Sequence, residues 1–153
     1  LVNDVSNLKI IAAQPHGCSP IVDAFKSNSS EIFPVEKPNT IAKSLAIGDP
    51  GDGIYVLKRL KQYHGIAESA TNQEIINGIL KLSKTEGIFT EPAGGVSVAV
   101  LQKLIENGKI DRDANIVCYV TGNGLKSTEA IVKVLPKPST VKPDIQMVSA
   151  IIR

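Results

Sequence analysis

Residues 116–126, Ile-Val-Cys-Tyr-Val-Thr-Gly-Asn-Gly-Leu-Lys, join an apolar run to a Gly-x-Gly turn, with Thr121 at the junction. A short apolar run rich in β-branched residues is typical of a strand that is buried on both faces of a parallel sheet. The two glycines, Gly122 and Gly124, allow the backbone to turn sharply beside a bulky neighbour. Because open α/β sheets bind ligands at the carboxyl ends of their strands, this stretch predicts a ligand site at Thr121.

The composition of the chain is that of an ordinary globular domain. Its 153 residues are enough for one domain with a core, and 42% of them are hydrophobic. The formal net charge of +2 is spread along the chain without a basic stripe, so we expect neither nucleic acid nor a membrane as a partner. Residues 8–13 form an apolar run that is too short for a signal peptide or a membrane span.

The two cysteines, Cys18 and Cys118, lie far apart in apolar segments. Neither they nor the two histidines, His16 and His64, have the spacing of a metal site. Buried, reduced thiols are typical of a cytoplasmic protein, and we expect that location. We assign no metal ligand and no histidine role.

The pattern of apolar and polar residues predicts these elements in order along the chain: strand, helix, loop, helix, strand, helix, helix and strand. This order predicts an α/β fold with a mostly parallel sheet between two layers of helices, a three-layer αβα arrangement. The predicted strands are 8–13, 66–70 and 116–120. The predicted helices are 20–26, 54–64, 71–87, 92–107 and 127–132.

Capping signals mark the ends of several of these helices. Ser19 stands at the N-cap position of the first one, and Thr71 with Glu74 has the spacing of a capping box. Gly65 is predicted to occupy the left-handed position that ends the second helix. The helix at 92–107 is apolar on nearly all sides, which indicates that it is buried.

Two irregular segments interrupt this pattern. Residues 31–52 contain several prolines and glycines, and the apolar stretch 39–48 within them predicts an ordered, partly buried loop or short helix. The other irregular segment is the proline-rich tail, residues 136–153, whose end predicts a docking helix at 145–152. We therefore expect an α/β unit over residues 1–135, followed by this tail.

Three blocks of sequence, in collinear order, carry a resemblance to a known family. They are Asn-Thr-Ile-Ala at 39–42 with Ile-Gly-Asp-Pro at 47–50, Glu-Gly-Ile-Phe-Thr-Glu-Pro-Ala-Gly-Gly-Val-Ser at 86–97, and Thr-Gly-Asn-Gly-Leu-Lys at 121–126. Together they resemble the threonine synthases, which are pyridoxal-phosphate-dependent enzymes of the tryptophan-synthase-β-like fold, or fold type II. The block at 86–97 resembles the threonine and serine dehydratases as well, whereas the other two point to the threonine synthases.

The resemblance implies cofactor-binding roles for five residues, which are Thr121, Gly122, Glu91, Ala46 and Ile47. Thr121 is expected to hydrogen-bond the pyridine nitrogen of pyridoxal 5'-phosphate, and Gly122 to let the backbone pass close to the ring. A neutral hydroxyl in that place leaves the nitrogen largely unprotonated, whereas a carboxylate would hold a proton there. Glu91 belongs to the segment that packs near the ring, and Ala46 and Ile47 to a loop that lines the cofactor or the substrate.

The resemblance further implies that no catalytic residue lies in this chain. The lysine that forms a Schiff base with the cofactor, and the loop that holds the cofactor phosphate, are expected upstream of Leu1. The chain is therefore expected to be the C-terminal part of a larger enzyme, inactive and without cofactor when isolated. Its expected partners are the N-terminal part of the same enzyme, the substrate O-phosphohomoserine and, as a further candidate, a second copy in a homodimer.

The implied reaction converts O-phosphohomoserine and water to threonine and phosphate. Three alternatives stay open: a dehydratase-like lyase on the same fold, a non-catalytic α/β domain that binds a small molecule, and a nucleotide-binding domain. Gly122-x-Gly124 lacks the third glycine of a dinucleotide fingerprint, because Ser127 stands there. Glu91 could equally be a capping carboxylate at a helix N-terminus, and Lys126 is expected to be a surface or helix-start residue.

Overall fold

The computed structural model describes residues 8–151, in which two parallel strands lie between two layers of helices. β1 (Ile11–Pro15) and β2 (Ile66–Ala70) pair side by side, with Ile11 opposite Ile66 and Pro15 opposite Ala70. The helices are α1 (Pro20–Lys26), α2 (Gly53–Gln62), α3 (Asn72–Glu86), α4 (Pro92–Glu106) and α5 (Ile145–Ile151), and the 3-10 helices are η1 (Lys43–Leu45) and η2 (Gly124–Ala130). β2 agrees with its prediction, whereas β1 starts at Ile11 rather than at residue 8 and continues through Pro15.

One helical layer consists of α1 and α2, which cover one face of the strands. Val22 of α1, Leu60 of α2 and Ala67 of β2 form the buried centre of this side. The side-chain oxygen of Gln14, in β1, accepts hydrogen bonds from the N–H groups of Ile21 and Val22, both at 3.0 Å. The start of α1 is therefore satisfied by a residue of the neighbouring strand.

The ends of α1 and α2 differ from the predicted ones. Ser19 is the N-cap residue of α1 by position, but its side chain accepts no hydrogen bond from the helix and lies 3.2 Å from the Asp23 carboxylate. After α2, the left-handed residue is His64, with φ 45°, and not Gly65. A Cβ on Gly65 would lie 2.4 Å from the Ile10 carbonyl oxygen. Gly65 is thus required for close approach to the start of β1, not for its backbone conformation.

The second helical layer consists of α3 and α4, which pack against each other and against the other face of the strands. Gly78 of α3 is so close to α4 that a Cβ on Gly78 would lie 2.7 Å from the Gly95 carbonyl oxygen. The larger core surrounds this contact and is formed by Ala42, Ala70, Ile75, Ile79, Val96, Ala99, Val100, Leu104 and Ile131. Helical layers on both faces of a parallel sheet confirm the predicted αβα fold class.

Both ends of α3 and the burial of α4 agree with the sequence. The Glu74 N–H donates to the Thr71 hydroxyl at 3.2 Å, and the Thr71 N–H donates to the Glu74 carboxylate at 2.7 Å, so the capping box is confirmed. Gly87 follows α3 in the left-handed region, at φ 68°. Pro92 through Val96 of α4 are buried, as the apolar composition of this helix predicts.

The strand predicted at 116–120 is wrong. In the part of the chain that the structure describes, this stretch pairs with neither β1 nor β2, and Val117 and Tyr119 are 83% and 76% exposed. A cavity of about 90 Å³ lies between this stretch, β1 and α4. A strand requires ladder hydrogen bonds to a neighbour, and an apolar, β-branched run does not specify whether a neighbour is within reach.

The long segment between α1 and α2 is ordered, as predicted. It contains η1, and Ala42 just before η1 is fully buried. The side-chain oxygen of Asn72, at the start of α3, accepts hydrogen bonds from Thr40 Oγ1 at 3.3 Å and from the Ile41 N–H at 3.1 Å. These two hydrogen bonds hold the segment against α3.

The C-terminal part of the chain contains only short helices within the described range. η2 takes the place of the helix predicted at 127–132 and is interrupted at Ser127, where φ is −142°. α5 forms where the tail helix is predicted, but none of its residues is buried, and residue 152 lies outside the described residues. The docking of this helix and the boundary at residue 135 stay predictions. Over residues 8–151, no helix combines the length and the apolarity needed to span a membrane.

Candidate functional site

The turn predicted to bind a ligand, residues 121–124, lies against the residues that lead into α4. The Glu91 N–H donates to the Gly122 carbonyl oxygen at 2.9 Å, and the Gly124 N–H donates to the Phe89 carbonyl oxygen at 2.9 Å. The two hydrogen bonds form a short antiparallel bridge. The structure thereby brings together two of the three sequence blocks on which the resemblance rests.

Thr90 holds the same turn from the interior. Its hydroxyl donates to the Gly122 carbonyl oxygen at 3.0 Å, and the residue is 1% exposed. A Cβ on Gly94 would lie 2.1 Å from this hydroxyl, and a Cβ on Gly95 would lie 2.7 Å from Ile79. Both glycines therefore make room for protein atoms. Sequence reasoning assigned Thr90 no role, although it stands inside the 86–97 block.

Glu91 occupies the N-cap position of α4, but its carboxylate does not cap the helix. The residue is 7% exposed, and a Cβ on Gly122 would come within 2.2 Å of Glu91 Oε1. A side chain at position 122 would displace the carboxylate from this place. The alternative role of Glu91 as a capping carboxylate is therefore wrong, and its side chain faces the predicted ligand turn.

Thr121 is exposed, and its hydroxyl lies beside Glu91. Thr121 Oγ1 donates to Glu91 Oε1 at 3.3 Å, and Lys126 Nζ lies 3.1 Å from Glu91 Oε2. An ionised carboxylate only accepts hydrogen bonds, and its two oxygens can hold both partners at once. Sequence reasoning missed this role of Lys126, because nothing in the spacing of residues 121–126 indicates that the turn returns the lysine to Glu91.

Ala46 and Ile47, the other two predicted site residues, directly follow η1. Ile47 is 59% exposed, and Ala46 is partly buried. η1 contacts α4, and the core on that side includes Ala42 and Val96. No hydrogen bond within residues 8–151 joins Ala46 or Ile47 to the turn. Three of the five predicted site residues thus meet directly, and the other two follow η1, which itself contacts α4.

Two carboxylates away from this cluster have pKa values below the ordinary one. Burial raises the pKa of Glu74, but the Thr71 N–H and the Lys103 ammonium, 2.9 Å away, outweigh that effect. Burial also raises the pKa of Glu68. The Lys26 ammonium at 2.6 Å, together with the Ser69 N–H and Lys103, outweighs this effect of burial. Cations and backbone donors surround both groups, which indicates structural roles.

The two cysteines are free thiols. Burial raises the pKa of both Cys18 and Cys118, so the protonated form is favoured near neutral pH. Among the residues that the structure describes, no group of three or more His, Cys, Asp or Glu side chains is arranged to hold a metal ion.

The candidate site consists of the Thr121 turn with Glu91 and Lys126.

Sequence comparison finds similarity to pyridoxal-phosphate enzymes. The sequence model of a family described as "Pyridoxal-phosphate dependent enzyme" matches residues 3–122. The threonine synthase of Methanocaldococcus jannaschii is 38% identical over 95% of this chain and 36% of its own length. The threonine synthases of Methanosarcina acetivorans and Mycobacterium leprae are 38% and 33% identical over 92% and 89% of this chain, and over 35% and 36% of their own lengths. The chain thus spans little more than a third of these relatives.

Structural comparison finds the same fold in solved structures. Maize serine racemase superposes with a TM-score of 0.63 over 83% of this chain and 40% of its own, at 17% sequence identity. A fungal L-serine ammonia-lyase from Rhizomucor miehei superposes with a TM-score of 0.62 over 82% of this chain and 41% of its own, at 16% identity. Identities this low support the fold alone, which is that of fold type II enzymes.

Proposed function

This chain belongs to the family of pyridoxal-phosphate-dependent enzymes, and from that premise we propose that it works as part of a threonine synthase. The proposed reaction converts O-phosphohomoserine and water to threonine and phosphate. The observation that carries the proposal is the meeting of two sequence blocks, 86–97 and 121–126, at the exposed residue Thr121. The similarity to threonine synthases extends over both blocks, which favours this reaction over others on the same fold.

The residues of the turn suit the pyridine end of pyridoxal phosphate. Thr121 is an exposed residue and its hydroxyl is neutral, so it can hydrogen-bond a ring nitrogen while the rest of its side chain stays beside Glu91. Gly122 places no side chain between this hydroxyl and the Glu91 carboxylate. The main-chain bonds from Glu91 and Gly124 hold the turn in place, so the hydroxyl is presented from a fixed backbone.

Each residue of the site has a defined part in the proposal. When bound, pyridoxal phosphate supplies an electron sink for carbanions that form on amino acids. Thr121 orients the ring through its nitrogen and, as a neutral group, does not hold a proton there as a carboxylate would. Gly122 gives Glu91 room, and the Glu91 carboxylate lies beside the Thr121 hydroxyl. Ala46 and Ile47 line the cofactor or the substrate from the η1 side.

Another part of the enzyme supplies, in this proposal, the lysine that binds the cofactor and the loop that holds its phosphate. The isolated chain is then inactive and without cofactor. Its partner is that other part, with a homodimer as the assembly and the cytoplasm as the location. The fraction of the relatives' length that the chain matches supports this division. The exposed helix α5 offers the proposed tail a means of docking onto the rest of the enzyme.

Replacing Thr121 in the complete enzyme tests the cofactor role. Thr121→Ala removes one hydrogen bond, worth about 0.5–1.5 kcal/mol, so we expect the cofactor dissociation constant to rise about two- to tenfold and threonine formation to slow. Thr121→Ser keeps the hydroxyl and should keep both properties. Thr85→Ala, at an exposed position of α3, is the matched control and should behave as the unsubstituted enzyme. Unchanged cofactor affinity in Thr121→Ala would remove the basis of the assignment.

A dehydratase is the second candidate, because the solved structures with the same fold include a serine ammonia-lyase. Product analysis separates the two reactions. The complete synthase should release phosphate and form threonine from O-phosphohomoserine, and should release no ammonia from threonine or serine. Ammonia and a 2-oxo acid formed from threonine, without phosphate release from O-phosphohomoserine, would establish the dehydratase instead.

A further inference from the structure

We propose that Lys126 is a positioning residue that acts on Thr121 through Glu91. The inference rests on the proposed cofactor role of Thr121 and extends the site to a side chain beyond the turn. Lys126 does not touch the cofactor in this arrangement. It controls how strongly the Glu91 carboxylate holds the Thr121 hydroxyl.

One carboxylate connects the two side chains. Glu91 Oε1 accepts the Thr121 hydroxyl at 3.3 Å, and Glu91 Oε2 lies 3.1 Å from Lys126 Nζ. The Glu91 side chain is 9% exposed, whereas the Lys126 side chain is 65% exposed. In residues 8–151, Lys126 is the only cation within ion-pair distance of Glu91. A carboxylate so little exposed is costly without an opposite charge, which favours retention of the ion pair.

The turn brings Lys126 back towards Glu91. The Asn123 side-chain oxygen accepts a hydrogen bond from the Leu125 N–H at 2.9 Å, and the Asn123 carbonyl oxygen accepts one from the Lys126 N–H at 3.3 Å. The Gly122 carbonyl oxygen is at the same time bound by the Glu91 N–H. Both ends of the ion pair are therefore attached to one backbone frame, which reduces the conformational entropy lost when the pair forms.

The Thr121 hydroxyl has a single proton, and two acceptors compete for it once a ring nitrogen is bound. The Glu91 carboxylate is one acceptor, and the ring nitrogen is the other. The Lys126 ammonium attracts the same carboxylate and weakens its hold on the hydroxyl proton. Without the Lys126 charge, Glu91 becomes the stronger competitor, and the hydroxyl becomes a poorer donor to the cofactor.

The test replaces Lys126 in the complete enzyme with cofactor bound. Lys126→Met removes the charge and keeps a long side chain. We expect the cofactor dissociation constant to rise about two- to fivefold, the effect of an exposed ion pair, together with a shift in the pH profile of the cofactor absorbance. Lys126→Arg should restore both properties. Lys84→Met, at an exposed position of α3 where the described residues form no ion pair, should equal the unsubstituted enzyme.

A double-mutant cycle establishes whether Lys126 acts through Thr121. In the Thr121→Ala enzyme, Lys126→Met should change neither the dissociation constant nor the pH profile further. An equal effect in both backgrounds, a lowered Tm without a change in the pH profile, or a silent Lys126→Met beside an impaired Thr121→Ala would overturn the inference and leave the proposed function standing. A silent Thr121→Ala would overturn the cofactor role itself.

Discussion

Residues 66–106 and residues 116–151 both contain apolar stretches, but the first region supplies most of the larger core, whereas the second supplies Ile131 to it. In the first, Ile79 is 1% exposed, and the polar groups at the start of α3 are satisfied a few residues away. In the second, Val117 is 83% exposed, and the stretch that contains it pairs with no described strand. The difference shows that a helix needs few partners outside itself, whereas a strand depends on a neighbour that the chain must bring alongside.

The largest expected contrast is between a buried and an exposed aliphatic residue. Ile79→Ala should lower the free energy of unfolding by about 2–5 kcal/mol, because it leaves a cavity between α3 and α4. Val117→Ala should change it by less than about 0.5 kcal/mol. Urea denaturation of both variants measures the two effects. A loss above about 1 kcal/mol from Val117→Ala would show that residues 116–120 are packed in solution, and the contrast between the regions would fail.

A smaller contrast concerns the caps of the two regions. Thr71→Ala should cost about 1 kcal/mol, because it breaks the capping box of a 15-residue helix. Asn123→Ala should cost less, since Asn123 caps only the short, interrupted η2. Thermal unfolding of the two variants gives the ranking. Equal losses would mean that η2 contributes to stability as much as α3 does.

The smallest expected effect is electrostatic and lies in the packed region. The folded-state pKa of Glu74 is lowered. The Glu74 charge therefore adds to the free energy of unfolding above the ordinary pKa of 4.5, and this stabilisation is lost as the pH falls through the folded-state pKa. Glu74→Gln keeps a capping side chain but removes the charge, which should cost about 0.3–1 kcal/mol near neutral pH. The free energies of unfolding of Glu74→Gln and of the unsubstituted protein should become equal as the pH is lowered from 7 into the acidic range. A constant difference at every pH would contradict the role of the charge.

The helices show how far local sequence patterns predict the fold. Thr71, Glu74 and Gly87 mark the ends of α3 correctly, because each acts on backbone groups within a few residues of itself. The cap of α1 was not predictable in this way, since Gln14 reaches it from β1. The same holds for Gly65, whose requirement comes from the Ile10 carbonyl oxygen rather than from φ. Such contacts depend on which strand lies next to which helix.

The candidate site divides along the same line. The resemblance pointed to Thr121, Gly122 and Glu91, and these three residues meet in the structure. It could not indicate that the Glu91 carboxylate leaves its helix N-terminus uncapped, nor that Lys126 returns to it. Both facts follow from hydrogen bonds between segments that are distant in sequence.

The sequence by itself determined the helices α1 to α4, the parallel arrangement of the strands and the family, because capping, amphipathic spacing and short motifs act over a few residues. Only the tertiary structure decided that residues 116–120 form no paired strand and that Thr121, Glu91 and Lys126 form one cluster. The physical reason is that ladder hydrogen bonds and ion pairs require two segments to come within about 3 Å, and a linear pattern holds no record of that distance.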